Sequence, residues 1–452
     1  MRIVVIGGVA AGMSAASQAK RRLPQAEVIA LERGRYVSYG ACGIPYNVEN
    51  PKRDIDDLIV ISETEFRHAR GIDVRTGHEV AAIDPVRKEL SVRDHAGGRD
   101  YALAYDRLVI ATGAAAVRPA LPGLDLPGVF VVRELADGAS IKRFLEDAAP
   151  RRATVIGAGY LGMEMAEALA ARGLAVRVLE RAAQVIPGFE PVIAEIVAAE
   201  LQRHGIEVDT GVAVTEIGTD GEGLQVRTDR GNIATDMVIV AVGVRPQVAL
   251  AQAAGVRLGA TGAIAVDAAQ RTSIADIFAA GDCAEAFHRV LDEPAYLPLG
   301  TTANKQGKIA GANSAGGAEQ FGGIVGTAGF KVFSVEVART GVGAADISRR
   351  GLDVLSSVSR QNSRGHHIPG SVTITTVLFV ERGSGRLLGA QMAGADTVAK
   401  RIDVLATALH ARMTVRDIEM LDLSYAPPFA PVYDPVLIAA TVARKAGGGF
   451  RV

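Results

Sequence analysis

The chain has 452 residues, a length that predicts about three domains. Hydrophobic content of 48% and charged content of 22% fit large buried cores, and a net charge of −1 gives no electrostatic case for nucleic acid or an anionic membrane surface. Two cysteines exclude a disulfide framework and predict a reducing, cytoplasmic setting, and no apolar run reaches the roughly 18 residues of a transmembrane helix.

Residues 2–6 read as a first strand, too short an apolar run for a signal peptide. They lead into Gly7-Gly8-Val9-Ala10-Ala11-Gly12, a G-x-G-x-x-G turn with Val9 in place of its middle glycine; Gly8 beside it is expected to permit the close approach of backbone to a phosphate. A helix-like stretch and a second apolar run follow and close on Glu32, 20 residues past Gly12. Ten residues later, Cys42 stands in Ser38-Tyr39-Gly40-Ala41-Cys42-Gly43-Ile44-Pro45-Tyr46 with no neighbouring cysteine. Gly43-Ile44-Pro45 predicts a helix start just after it, which is expected to lower the thiol pKa. The next strand ends on Ala111-Thr112-Gly113.

Residues 152–181 repeat this pattern. Gly157-Ala158-Gly159-Tyr160-Leu161-Gly162 is a complete fingerprint, Glu180 lies 18 residues beyond Gly162, and a later strand ends on Gly243. A carboxylate at a strand end binds a ribose hydroxyl and repels a 2′-phosphate, which favours NADH; Arg181 beside it weakens that preference and keeps NADPH open. A third strand-to-glycine signature ends at Gly281-Asp282. With Asp282 and the Thr112-Gly113 turn present, the first half is assigned to FAD, Glu32 taking the adenosine ribose and Asp282 the ribityl chain. Cys283 reads as a small buried residue.

Residues 301–313 look helical, and the glycine-rich stretch 322–329 marks a boundary. Beyond it, residues 372–380 and 387–392 read as strands and 398–413 and 436–445 as helices, an α+β segment without a nucleotide fingerprint. The fold expected is α/β: two Rossmann-like dinucleotide-binding domains and a C-terminal α+β domain. The expected boundaries are 1–112 with 244–322 for FAD, 113–243 for NAD(P)H, 323–446 for the last domain, and a frayed tail at 447–452. The eight histidines show no metal-ligand spacing, so no metal is expected.

This set resembles the two-dinucleotide flavoprotein disulfide reductase superfamily over nearly the whole chain. The single-cysteine motif, Pro298 to Gly307 and Leu423 to Phe429 look like its branch of coenzyme A disulfide reductases, NADH oxidases, NADH peroxidases and NAD(P)H persulfide or polysulfide reductases. The resemblance implies a homodimer joined through the last domain. It implies an FAD site of Gly7, Gly8, Ala11, Gly12, Glu32, Arg33, Val80, Thr112, Gly113, Arg133, Asp282, Thr301 and Ala303. The NAD site would be Gly157, Gly159, Tyr160, Leu161, Gly162, Glu164, Glu180, Arg181 and Gly243, with Tyr160 covering the flavin until nicotinamide displaces it.

Substrate contacts implied in the same way are Ser14, Gln18, Arg21, Arg22, Ser38, Tyr39 and Arg70, with coenzyme A as substrate or as an adduct of Cys42. Helix-surface basic residues are often only solvated, so the wider match carries that assignment. Tyr425 would reach the active site of the partner, and His367 stands where a second such tyrosine is expected, making both candidate proton donors. Ala10 occupies the place of the histidine that handles peroxide in the peroxidases and oxidases, which favours a sulfur acceptor. The expected activity is NAD(P)H-dependent reduction of coenzyme A disulfide or a related disulfide, persulfide or polysulfide through Cys42. The alternatives are a water-forming NADH oxidase using a Cys42 sulfenic acid, and a non-enzymatic flavin redox sensor.

Overall fold

The computed structural model describes residues 1–221 and 223–448; the end of the tail expected to fray, residues 449–452, lies outside them. Two parallel sheets of five strands form the first two-thirds of the chain. One runs Asp73–Thr76, Glu27–Glu32, Arg2–Ile6, Arg107–Ile110, Ile277–Ala279 in spatial order. The other runs Glu207–Thr210, Ala175–Glu180, Arg152–Ile156, Met237–Val240, Val129–Val131. The shared order matches the repeat in the sequence, save that the second sheet takes its outer strand from earlier in the chain. Both faces of each sheet are covered, so the strands are continuous apolar runs rather than alternating ones. Ile3, Val4 and Val5 are fully buried, with Val4 paired to Ile29 and Leu108.

Each half also carries a three-stranded antiparallel meander, at His78–Asp84, Glu89–Asp94 and Arg99–Ala104, and at Val214–Thr219, Leu224–Thr228 and Gly231–Thr235. Their sequence signal is the two-residue alternation that buries Leu90 and Val92 while Ser91 and Arg93 stay out. The helix Ala10–Arg22 crosses Gly300–Ser314 at close range: a side chain on Gly307 or Gly311 would strike the carbonyl oxygens of Ala11 and Ala15. The chain passes between the two nucleotide units along a ribbon of Ala114–Ala116 antiparallel to Val244–Pro246, closed by Val117 N–H to the Gly243 carbonyl at 2.9 Å.

A third five-stranded sheet is antiparallel, in the order Ala328–Val332, Val335–Gly341, Leu387–Gly394, Thr373–Glu381, Val354–Asn362. The helices Val398–His410 and Pro435–Ala446 cover one face. Phe330, Val337, Val377 and Phe379 on this sheet share a core with Met163, Ile193 and Val197 of the second nucleotide unit. That double burial explains why every residue of Leu387–Gly394 is buried. No helix among the described residues is long and apolar enough to cross a membrane.

Candidate active site

The two fingerprints fold into near-copies of one turn. Gly7 and Gly157 hold φ of +105° and +103°, which glycine adopts at little cost, and a side chain on either would strike the carbonyl oxygen of Ala111 or Ala241. Glu32 accepts N–H groups from Gly8 at 2.7 Å and Gly34 at 2.8 Å; Glu180 accepts from Ala158 at 2.8 Å and Ala182 at 2.7 Å. Burial raises the Glu32 pKa against these two donors, which pull it down. Each carboxylate is thus fixed at a strand end, with lone pairs left over for ribose hydroxyls.

The two turns differ at the middle position. Gly159 faces open space, whereas a side chain on Gly8 would meet Glu32 and Val37 at 2.8 Å. Gly8 therefore makes room for the acid. Val9 itself lines the cleft there.

That cleft is bounded by Gly7, Glu32, Arg33, Thr112, Gly113 and Arg133, and it adjoins a cavity of about 630 Å³ walled by Glu32, Arg33, Val80, Arg245 and Gln247. Arg33 is held by Glu134 at 2.8 Å, and the Thr112 hydroxyl donates to the Gln247 carbonyl at 2.7 Å. Arg133 donates to Asp282 at 2.6 Å and to the Ala114 carbonyl at 3.0 Å. Ala11 and Ala303 pack around Gly281, and Thr301 is exposed in the first turn of Gly300–Ser314. In the second unit, Leu161 is half-buried on the helix Tyr160–Ala171, Gly162 packs against the Gly157 carbonyl, Arg181 is exposed, and Gly243 turns at φ +112°.

Cys42 sits in the short 3₁₀ turn Ala41–Gly43, ahead of the helix Ile44–Glu49, and is exposed. Its surroundings converge from three places: Glu164 on the helix Tyr160–Ala171, Arg133 after the strand Val129–Val131, and Asp282. The thiol pKa is raised, by burial of its sulfur first and by Glu164 next, with Arg133 opposing. This corrects the expected lowering. Cys42 precedes a helix of only six residues, and desolvation of the thiol, with Glu164 next, sets the direction of the shift.

Tyr46, one helical turn after Cys42, donates to Glu164 at 2.7 Å. Lys331 pairs with Glu167 and lies over the Tyr46 ring, 5.5 Å from its centroid. Burial raises the Glu164 pKa. The sequence reading passed over Tyr46, although four-residue spacing from Cys42 marks it; Lys331, from a distant strand, carries no such signal. Tyr160 stacks on Phe330 at 4.7 Å and meets Phe189 edge-on. Tyr39 is pushed up to about 12 by burial and stays a neutral hydroxyl. Ser38 beside it holds φ +50° and donates its N–H to the Gly8 carbonyl. Cys283 is fully buried, its sulfur directed at the Ile110 and Ala280 carbonyls.

The remaining candidates form two groups. Arg21 and Arg70 share a cavity of about 480 Å³ with Ser17, Lys20, Pro24 and Ile72. Ser14 donates to Asn304 at 2.7 Å, Gln18 is half-buried, and Arg22 turns away to Glu319 at 3.5 Å. His367 and Tyr425 are exposed on two loops of the last sheet unit. Arg401 ties those loops together: it reaches the Ser363 carbonyl at 2.8 Å, the Phe429 carbonyl at 3.3 Å and the Asp434 carboxylate at 2.9 Å. Among the described residues, no cluster of three or more His, Cys, Asp or Glu side chains is arranged to hold a metal ion.

Residues 1–312 match the family described as pyridine nucleotide-disulphide oxidoreductase, and residues 327–435 match that family's dimerisation domain. The chain is 37% identical over 446 residues to a protein of Pyrococcus horikoshii called NAD(P)H coenzyme A polysulfide/persulfide reductase, covering 98% of each. It is 34% identical to one of Methanocaldococcus jannaschii called NADH oxidase, covering 98% of this chain and 99% of that one. A solved structure described as a NAD-dependent persulfide reductase from A. fulgidus superposes with a TM-score of 0.95 at 39% identity, covering 99% of this chain and 84% of the other.

Proposed function

Because this chain belongs to the pyridine nucleotide-disulphide oxidoreductase family, we propose that it uses NAD(P)H and FAD to reduce a sulfur–sulfur bond through Cys42. The acceptor is coenzyme A disulfide or a related low-molecular-weight disulfide, persulfide or polysulfide. One observation carries this reading. Cys42 is an exposed thiol where both nucleotide units meet, and Cys283, the other cysteine of the chain, is sealed in the core. A sulfur partner must therefore come from outside. FAD, when bound, supplies a carrier that takes hydride from NAD(P)H and delivers two electrons to sulfur. The residues fit it: Glu32 offers lone pairs to a ribose, the cleft along Gly7 and Thr112 takes a pyrophosphate, and Asp282 with Arg133 lies beyond.

In this reading the Cys42 thiolate attacks one sulfur of the acceptor, the S–S bond breaks, and a thiolate leaves. The partner subunit's Tyr425 or His367 donates the proton to it. The mixed disulfide left on Cys42 is then cleaved reductively. The sum is NAD(P)H plus a proton plus R–S–S–R giving NAD(P)⁺ and two thiols. The basic cavity at Arg21 and Arg70 suits the phosphates at the nucleotide end of coenzyme A. Glu180 favours NADH. The subunits pair as a homodimer, which would cover Tyr425, Phe429, Val432 and Tyr433, all more than half exposed in one chain.

Cys42→Ser should keep NADH-dependent bleaching of the flavin while losing acceptor turnover about a thousandfold or more. Retained turnover would end this reading. Mass spectrometry of the unreduced protein should find a coenzyme A adduct or a persulfide on Cys42. A sulfenic acid, with fast oxygen uptake from NADH alone, would support instead the oxidase activity named for the Methanocaldococcus relative. Ala10 offers no acid for that chemistry.

A further inference from the structure

The helix Ile44–Glu49 is only six residues long, too short to hold itself together. At its end the Asn50 N–H donates to the Asn47 carbonyl at 3.2 Å, and two cations from two different elements supply further donors to the last carbonyls. Lys142, 8% exposed on the helix Leu135–Asp147, donates to the Asn47 carbonyl at 3.1 Å, the Asn47 side-chain oxygen at 3.0 Å, the Asn50 carbonyl at 3.0 Å and the Arg53 carbonyl. Arg172, which caps the C-terminus of Tyr160–Ala171, donates to the Val48 carbonyl at 3.0 Å. The Asn47 amide closes the far side of the cage by donating to the Asp54 carbonyl at 2.6 Å. Both cations sit at the negative end of the short helix, where charge and hydrogen bonding act together.

Burying a lysine among carbonyls is costly unless something needs the segment held there. The object held is one turn from Cys42. The helix Leu135–Asp147 comes so close that a side chain on Gly138 would press on Ile44 and Ile55 at 3.0 Å. At the other end, Tyr46 reaches Glu164 on the same helix that Arg172 terminates. The cysteine helix is therefore gripped at both ends by the unit carrying the complete fingerprint. We propose that Lys142 and Arg172 are positioning residues for Cys42, fixing the thiol in register with the helix that bears Glu164. The inference goes beyond the proposed activity, since it concerns where the thiol is held whatever its acceptor.

The test is alkylation of the reduced FAD-loaded dimer with iodoacetamide, following Cys42 and Cys283 separately by peptide mass spectrometry. Lys142→Met should raise the Cys42 rate about tenfold or more while Cys283, in its buried site, keeps its wild-type rate. Arg172→Met should act in the same direction, and Arg172→Lys should cancel part of that rise. In steady state, Lys142→Met should lower kcat for the acceptor with the KM for NADH unchanged. Parallel rises at Cys42 and Cys283 would mean general loosening and would overturn the proposal, as would a Cys42 rate unmoved in both variants. Should Lys142→Met fail to fold, the half-buried Arg172 carries the same comparison. The labelling needs no turnover, so an inactive acceptor reaction would leave it readable, and Cys42→Ser tests the activity separately.

Discussion

At the scale of single residues, the surroundings of one sulfur decide the most. Cys42 faces Glu164 and Asp282 against a single cation, Arg133, and its pKa is raised. Fewer thiolates then exist at a given pH, so alkylation should climb with pH to a midpoint above that of a free thiol. Glu164→Gln removes the largest charged contribution and should move that midpoint down. Arg133→Met removes the opposing cation and should move it up. Rate-against-pH profiles of the two variants that coincide would show that neither group governs the thiol. The sequence made Cys42 conspicuous because it lacked a neighbour. It did not disclose the sign of the shift, since Glu164 lies 122 positions away and Asp282 240. Gly8 teaches the same lesson: nothing in the sequence marks that this glycine also clears space for Glu32.

Among elements, legibility followed locality. Strands running into glycine, such as Arg2–Ile6 and Arg152–Ile156, were plain because their pattern is continuous. The meanders escaped because their alternation is short and broken by register shifts, as between Val80 and Ala82. Nor did the sequence mark how the loops bearing His367 and Tyr425 are held. Arg401, 7% exposed, does that by joining Asp434 to the Ser363 and Phe429 carbonyls. Arg401→Met should destabilise the protein by about 3–5 kcal/mol, because Asp434 stays buried without its partner. Thermal unfolding should show this together with a weakened dimer in sedimentation. A variant with wild-type stability would deny Arg401 that role.

Viewed whole, the molecule has an unfinished site. His367 and Tyr425 belong to the last unit, while the surroundings of Cys42 come from the two nucleotide units. If the donors act across the dimer, two inactive proteins should repair one another. Cys42→Ser mixed with a Tyr425→Phe/His367→Ala double variant, after subunit exchange, should regain activity, since each hybrid dimer holds one complete site. No recovery despite proven exchange would place donors and cysteine in the same chain. Which residues reach a neighbour is a property of the assembly, and only the resemblance, not the spacing of residues, hinted at it.

The paired ribbon at Ala114–Ala116 and Val244–Pro246 has a consequence for how this protein could be rebuilt. Both junctions of the middle unit lie side by side, so that stretch could be exchanged as a cassette with no gap in the backbone to span. The cassette would carry more than Glu180. Arg133, Lys142, Glu164 and Arg172 all fall between the junctions. A graft meant to change the coenzyme would therefore import a new posture for the cysteine as well, and the two traits would be inherited as one.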